Sequence, residues 1–293
     1  MKVIRAKYSG FCPGVMQAEK KIFRARKENG DAHIYILGYL IHNQTYIDYL
    51  AGNSVVTVSG LGEAPEGSVV VIRTHGLQRQ IERDVRGKCR VLDLTCPKVK
   101  KIQLLIHDYA GKGYFVLITG KKDHPEVRGL VSYAGRSDVI ETEGDIQRFA
   151  GGLGSSGIGR IFVVSQTTGD SRLFEETVRR VGRQGASCGI LVESFNSICS
   201  ITAMREREAL RLQKKVDVTF VIGDRISSNA TKLYKILAAG GQSVFFVNSR
   251  EEAESAIRSS CGGKCPWRAA QVVSSSSTPA FLEREIVSYL ERL

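Results

Sequence analysis

Three cysteines occupy the same kind of position in the sequence, between a short apolar strand and a predicted helix. Cys12 follows KVIRAKYSGF, Cys96 follows RVLDLT, and Cys199 follows GILVESFNSI. Free N–H groups and the dipole at a helix N-terminus favour the thiolate, the form that binds soft metals. Three thiolates leave one coordination position open for a substrate on a zinc ion or on an iron–sulfur cluster. The spacing of the cysteines resembles no local ferredoxin motif, so spacing alone is weak support for a cluster.

The other four of the seven cysteines differ in position. Cys89 and Cys188 precede predicted strands, which indicates buried core residues. Cys261 and Cys265 form a C-x3-C pair in a polar loop without a neighbouring histidine, which is a poor zinc site. An odd number of cysteines excludes complete internal pairing, so most thiols are expected to be reduced.

Three of the five histidines, His42, His75 and His124, stand at predicted strand ends. His33 and His107 do not, and we expect them on the surface or in the core. Imidazoles beside helix N-termini suit a phosphate or diphosphate ligand.

Later strand ends carry hydroxyl and amide groups that could also bind a phosphate or diphosphate, at Ser227, Asn229 and Ser277. The serine run 274–277 is also compatible with a flexible turn.

The stretch DHPEVRGL places Glu126 at the start of a predicted helix. An acidic residue there stabilises a helix in any protein. A carboxylic acid in a ligand site is also suited to protonate a leaving hydroxyl. Thr167 follows the next strand in the equivalent position and could share a proton network with Glu126.

The elements that position these residues recur three times along the chain. Each round has a strand, a helix, a strand ending in a polar cluster, a weaker strand, and a further strand and helix. The last helices are predicted near 77–87, 171–184 and 279–292. Alternating strands and helices predict α/β units with parallel sheets, whose ligands bind beyond the carboxyl ends of the strands. The predicted fold is three similar α/β lobes in a pseudo-threefold arrangement.

The predicted lobes cover residues 1–96, 97–194 and 195–293. The strand within residues 1–12 packs either in the first lobe or with the third. The segment GGLGSSGIG at 151–159 is predicted to be a surface loop.

The composition, with 42% hydrophobic and 25% charged residues, is ordinary for a globular protein. No apolar run is long enough for a membrane span and the first residues lack the apolar centre of a signal peptide, so we expect a cytoplasmic protein without a membrane partner. The net charge of +12 suits a nucleic acid, an anionic substrate or an acidic partner. Since the sequence has no evident aromatic stacking or helix-turn-helix motif, no nucleic acid is expected.

Eight short motifs together resemble the 4-hydroxy-3-methylbut-2-enyl diphosphate reductase (LytB) family over nearly the whole chain. In family order they are GFCPGV (10–15), IHN (41–43), THG (74–76), TCP (95–97), HPEV (124–127), SQTT (165–168), SSN (227–229) and STP (277–279). Each motif alone is weak evidence for the family, whereas eight motifs in the family's order are a specific signal.

The resemblance implies three lobes around a central [4Fe–4S] cluster with one open iron, which would bind the substrate's allylic hydroxyl. The implied cluster ligands are Cys12, Cys96 and Cys199. Glu126 is implied as the proton-delivering acid, aided by Thr167. The implied diphosphate contacts are His42, His75, His124, Ser227, Ser228, Asn229 and Ser277.

The implied reaction is reductive dehydroxylation to isopentenyl and dimethylallyl diphosphate, the last step of the methylerythritol phosphate (MEP) route of isoprene biosynthesis. It uses two electrons and two protons, and the implied electron donor is a ferredoxin or flavodoxin.

Several positions depart from the family pattern without removing an implied ligand. Ile226 stands where asparagine is common, and Ser275 and Ser276 replace a usual Gly-Ala. Leu94, Ser197 and Glu206 also differ from the usual residues. Three other functions stay open: a reductase or dehydratase of the same fold with another anionic substrate, a nucleic-acid-binding protein, and a zinc hydrolase.

Overall fold

The structure is a computed structural model that describes residues 1–30, 32–261 and 266–293. Its twelve β-strands are β1 (Lys2–Arg5), β2 (Ile34–Leu37), β3 (Val55–Val58), β4 (Val69–Ile72), β5 (Arg90–Asp93), β6 (Phe115–Thr119), β7 (Ser137–Ile140), β8 (Arg160–Ser165), β9 (Leu191–Phe195), β10 (Val218–Ile222), β11 (Ser243–Val247) and β12 (Ala269–Ser274).

The same described residues form eleven α-helices. They are α1 (Pro13–Glu28), α2 (Gln44–Ala51), α3 (Arg79–Lys88), α4 (Pro97–Gly111), α5 (Pro125–Val131), α6 (Glu143–Gly151), α7 (Ser171–Ser187), α8 (Ser200–Gln213), α9 (Ser228–Ala238), α10 (Arg250–Cys261) and α11 (Ala280–Glu291). The three helices predicted near 77–87, 171–184 and 279–292 are thus α3, α7 and α11.

The strands form three four-stranded sheets, which confirms the predicted α/β class with three similar sheet units. The strand orders are β1-β12-β10-β11, β3-β2-β4-β5 and β7-β6-β8-β9. The pairs β6–β8 and β10–β12, for example, are parallel. The first strand of the chain, β1, pairs with β12, near the end of the chain.

The chain divides into two compact units. The first unit comprises Met1–His33, Tyr39–Thr57 and Ser200–Leu293, and the second comprises Ile34–Gly38 and Val58–Cys199. The limits of the three predicted lobes stay a prediction. Among the described residues, none of the helices combines the length and the apolar character that crossing a bilayer requires.

In the first unit, helices cover both faces of the sheet that contains β10 and β12. Phe220 and Val272 point to one face and pack with residues of α10 and α11, including Ile286. Val221 and Val273 point to the other face and pack with α8 and α9. Burial on both faces explains why β10, with the sequence VTFVI, is buried at every position and apolar at all but Thr219.

In the second unit, the sheet around β6 and β8 has the same layered arrangement. Ile118 and Val164 pack against α4 and α5. Leu117 and Val163 pack against α6 and α7, including Phe174. The carboxyl ends of β6 and β8 are therefore fixed from both sides.

Two predictions for individual cysteines were wrong. Cys89 is the C-terminal cap of α3 and is partly exposed, and Cys188 is the exposed C-terminal cap of α7. Both residues belong to the ends of helices rather than to the buried starts of strands. Cys265 lies outside the described residues, and Cys261 is described only as the last backbone residue of α10.

The segment 151–159 is not a simple surface loop. Helix α6 extends to Gly151, and Leu153–Ser155 forms a 3-10 turn. Leu153 is buried against the core of the second unit with Ile146 and Ile161. The apolar side chain anchors a segment whose glycine and serine content had suggested a loop. Both His33 and His107 are exposed, which agrees with one of the two locations expected for them.

Candidate functional site

Glu126 and Thr167 form the most buried polar pair among the predicted site residues of the second unit. Thr167 donates its backbone N–H to Glu126 Oε1 and its hydroxyl to Oε2, both at 2.7 Å. The glutamate is only 2% exposed. Burial raises the pKa of Glu126 to about 7, although the two hydrogen bonds from Thr167 act in the opposite direction. The carboxyl group can therefore hold a proton near neutral pH.

The geometry also fixes which oxygen carries that proton. A backbone N–H only donates, so Oε1 must remain an acceptor. A hydroxyl both donates and accepts, so Thr167 Oγ1 can reverse its role when Oε2 is protonated. The proton of the neutral acid therefore lies on Oε2, beside Thr167.

Pairing of adjacent strands brings these two residues together. Thr119, the last residue of β6, is in register with Ser165, the last residue of β8. The loops that follow must pass close to each other, and Gly120 permits this because a Cβ there would lie 2.8 Å from Gln166 Cβ. Glu126 was predicted at this strand end, and the structure places it there with Thr167.

His124 caps α5, directly before Pro125. Its Nδ1 accepts a hydrogen bond from the backbone N–H of Glu126 at 3.2 Å, so the neutral ring carries its proton on Nε2. The His75 ring lies edge-on to the His124 ring, with centroids 5.4 Å apart. These two of the three predicted histidines are thus neighbours in the second unit.

Backbone hydrogen bonds connect two of the predicted cluster ligands to the same loops. Cys96 donates its N–H to Thr74 O at 3.0 Å, directly before His75. Cys199 donates its N–H to Thr167 O at 2.7 Å. In addition, Lys98 Nζ donates to Cys199 Sγ at 3.4 Å, which places a positive charge beside that sulfur. Cys199 is therefore hydrogen-bonded to the loop that holds the proposed acid, and Cys96 to the loop that precedes His75.

Cys12 lies in the first unit, at the N-terminus of α1, where its side chain makes no capping hydrogen bond. The preceding loop is held by charged groups that sequence reasoning did not select. Arg205 is 6% exposed and donates to the carbonyl oxygens of Tyr8 and Gly10. Glu208 accepts from the Tyr8 N–H at 2.9 Å. The only signal in the sequence was that α8, which carries both residues, directly follows Cys199.

The other predicted residues of the first unit also lie at strand ends and helix starts. His42 is partly exposed and precedes Asn43, whose side chain caps α2. Asp224 follows β10 and accepts from the Gln44 N–H at 3.0 Å and from the Ile226 N–H at 3.1 Å. Because both of its oxygens are engaged, this carboxylate organises the loops. It was missed, although it follows a strand as the predicted residues do.

Ser227 caps α9, and Ser228 and Asn229 form the first turn of that helix. The Ser277 hydroxyl donates to Ser227 Oγ at 2.8 Å. Asn229 Nδ2 donates to Ser276 Oγ at 2.7 Å. The structure therefore brings the predicted hydroxyl and amide residues of the first unit together.

The three predicted cluster ligands have the donor chemistry that an iron–sulfur cluster needs. Cys12, Cys96 and Cys199 are partly exposed thiols outside any disulfide. Cys12 and Cys96 are N-terminal caps of helices that begin with proline, and neither uses its thiol to cap the helix. Cys199 directly precedes α8 and has an ammonium group at its sulfur. Reduced cysteine sulfurs are the ligands that iron–sulfur clusters take, so the residues fit the group.

The positions that depart from the expected pattern have structural roles of their own. Ser197 is buried, accepts from the Ser165 N–H at 2.7 Å and donates to the Ser165 carbonyl. Glu206 forms an ion pair with Lys232 at 2.9 Å. Leu94 is buried, whereas Ile226 is 52% exposed.

Comparison with known proteins gives consistent results. The family model described as LytB protein matches residues 3–291. The 4-hydroxy-3-methylbut-2-enyl diphosphate reductase of Alkaliphilus oremlandii is 31% identical, with 100% of each chain covered. The reductase of the same name from Geobacter metallireducens is 37% identical over 81% of this chain and 80% of its own. A solved structure of (E)-4-hydroxy-3-methyl-but-2-enyl diphosphate reductase, the terminal enzyme of the non-mevalonate pathway, is 30% identical with a TM-score of 0.73 and complete coverage of both chains.

Replacing Arg205 with glutamine should release the loop that carries Cys12, because the loop carbonyls lose their guanidinium donor. In cluster-free protein, we expect alkylation of Cys12 by iodoacetamide to become several-fold faster, as local opening becomes easier. Mass spectrometry of the labelled peptides measures the rate at each cysteine.

Alkylation of Cys96 in the same samples separates local release from general unfolding. Arg207→Gln is the matched control, since Arg207 is exposed and donates to Ala203 O of its own helix. Equal acceleration at Cys12 and Cys96 in the Arg205 variant would show that Arg205 has no specific role at the Cys12 loop.

Proposed function

Because the chain belongs to the LytB protein family, we propose that it reduces 4-hydroxy-3-methylbut-2-enyl diphosphate to isopentenyl and dimethylallyl diphosphate. In this reaction the allylic C–O bond breaks and a C–H bond forms. Two electrons and two protons are consumed, and the oxygen leaves as water. The observation that carries the proposal is a buried glutamic acid, Glu126, whose raised pKa lets it hold a proton at neutral pH.

We propose that Glu126 is the acid that protonates the leaving hydroxyl group. Its Oε2 holds that proton beside the Thr167 hydroxyl, which can pass it on by donating one proton as it accepts another. The backbone N–H of Thr167 keeps the carboxyl group in one orientation. Burial supports this role because it disfavours the ionised carboxylate and so keeps a proton on Glu126 that can be transferred.

The proposed ligands of a [4Fe–4S] cluster are Cys12, Cys96 and Cys199. Such a cluster with three cysteine ligands supplies single electrons and one Lewis-acidic iron that is open to a substrate oxygen. The reduced thiols at helix N-termini support this assignment. The Lys98 ammonium at Cys199 would further stabilise sulfur-centred negative charge.

The diphosphate of the substrate requires hydrogen-bond donors, and we assign it to His42, His75, His124, Ser227, Ser228, Asn229 and Ser277. His124 Nδ1 accepts from the Glu126 N–H, so the neutral ring donates through Nε2. Ser227 and Ser228 lie at the N-terminus of α9, where backbone N–H groups also favour negative charge.

A ferredoxin or flavodoxin is the proposed electron donor. Such carriers are commonly acidic, and the net charge of +12 favours their association with this chain. The reaction is proposed to take place in the cytoplasm.

The proposed activity is tested in one anaerobic assay. The protein is purified without oxygen, reconstituted with iron and sulfide, and mixed with a reduced viologen dye and the substrate. We expect bleaching of the dye that depends on 4-hydroxy-3-methylbut-2-enyl diphosphate. In the same assay, Glu126→Gln should lose at least about 100-fold in turnover, as expected when a general acid is removed.

Glu143→Gln is the control, because Glu143 is exposed at the start of α6. Protein with a confirmed cluster that oxidises no dye with this substrate would contradict the proposal and favour a reductase or dehydratase of the same fold with another anionic substrate. Wild-type turnover in Glu126→Gln would show that Glu126 only stabilises its helix.

The ligand assignment predicts a separate result. Serine at Cys12, Cys96 or Cys199 should reduce the iron and sulfide content after reconstitution, because the hydroxyl is a poor ligand for this soft site. Serine at Cys89 or Cys188 should leave both contents at the wild-type level. Full iron content in any of the first three variants would remove that cysteine from the ligand set.

A further inference from the structure

The hydroxyl of Ser227 is restricted to one role by its neighbours. Its oxygen accepts from the Ser277 hydroxyl at 2.8 Å and from the Ala230 N–H at 3.4 Å. Both lone pairs are thus engaged, so the remaining hydrogen-bonding capacity of Ser227 is to donate its own proton. A hydroxyl that can only donate selects for an acceptor, such as a phosphate oxygen.

Ser275 extends this arrangement one step further back. Its Oγ lies 2.9 Å from Ser277 Oγ and 3.1 Å from Thr278 Oγ1. The Ser277 proton is given to Ser227, and the Thr278 proton to Ile222 O at 2.8 Å. Ser275 has a single proton, and it donates this proton to Ser277 Oγ, the nearer of the two oxygens. The hydroxyls form a directed chain from Ser275 through Ser277 to Ser227.

Direction matters because hydrogen bonds in such a chain polarise one another. A donor upstream makes the next hydroxyl a stronger donor, so the proton of Ser227 becomes more acidic toward an acceptor. Ser275 is fully buried and is not itself available to a ligand. Its contribution reaches a ligand only through Ser277 and Ser227.

Ser276 plays a comparable part for Asn229. One N–H of the Asn229 amide donates to Ser276 Oγ at 2.7 Å, and the second N–H of the same group remains for another acceptor. Asn229 Oδ1 is buried without a hydrogen-bond partner among the described residues. The bond to Ser276 therefore holds the orientation of this amide. Because Ser276 accepts that bond, its own proton also remains for a ligand, and the residue is partly exposed.

We infer that Ser275 and Ser276 strengthen diphosphate binding at Ser227 and Asn229, Ser275 through the hydroxyl chain and Ser276 by orienting the amide and by donating its own hydroxyl. The inference rests on the function proposed above, because it takes the ligand of these residues to be the diphosphate group. Ser275 is a positioning residue, and Ser276 is a further binding residue. The serine run is thus a built part of the anion site rather than a flexible turn.

The test measures binding of inorganic diphosphate to cluster-free protein by titration calorimetry. We expect Ser275→Ala and Ser276→Ala each to raise Kd about threefold to tenfold, the usual range for loss of one hydrogen bond. Ser276→Thr keeps the hydroxyl and should restore Kd to within about twofold of wild type. Ser243→Ala, at the exposed start of β11, is the control and should bind as wild type does.

Thermal unfolding of each variant shows whether the fold is kept. Wild-type Kd in both alanine variants would overturn the inference alone. Failure of wild-type protein to bind diphosphate would overturn both the inference and the assignment of the anion site. Weakened binding in the alanine variants, combined with no turnover in the viologen assay, would support the serine roles and contradict the proposed substrate.

Discussion

The buried contact between Glu126 and Thr167 is the constraint on which the rest of the site depends. A carboxyl group that is almost inaccessible to water must either be neutral or receive strong hydrogen bonds. Here it receives two bonds from neutral donors and no ion pair among the described residues, and burial raises its pKa to about 7. A carboxyl group that is still partly protonated at neutral pH follows from this balance. Its orientation in turn depends on the parallel pairing of β6 with β8, which brings the two loops together.

The parallel sheets also explain how polar residues that are far apart in sequence come to lie close together within each compact unit. In each compact unit, the predicted site residues follow the carboxyl ends of buried strands, and helices begin at or directly after these residues. Helix N-termini supply N–H groups that stabilise thiolate and phosphate alike. The same structural feature therefore suits the cysteines at the starts of α1 and α4 and the serines at the start of α9. The same architecture, a strand end followed by a helix N-terminus, can therefore hold either an anionic substrate or the ligands of a metal cluster.

Much of this arrangement could be predicted from the sequence, because it follows from local signals. Proline at helix starts placed α1, α4 and α5, and apolar runs placed the strands before them. Partners set by tertiary contacts could not be predicted: Arg205 is 197 residues from Tyr8, whose carbonyl it binds. The prediction that Cys188 lies in the core failed for a local reason. The residue precedes an apolar strand, and this context did not reveal that α7 extends to Ser187. The donor direction of the serine hydroxyls also could not be predicted, because it depends on contacts between the end of β10, Ser227 and the segment 275–278.

An infrared titration of the Glu126 carboxyl group in cluster-free protein measures whether this residue is protonated near neutral pH. The difference between wild type and Glu126→Gln identifies the band of this one group. We predict that the carboxyl remains protonated as pH rises past its ordinary pKa of 4.5 and ionises with a midpoint of about 7. A midpoint near 4.5 would mean that Glu126 is ionised at neutral pH, and it would contradict the assignment of Glu126 as the proton donor.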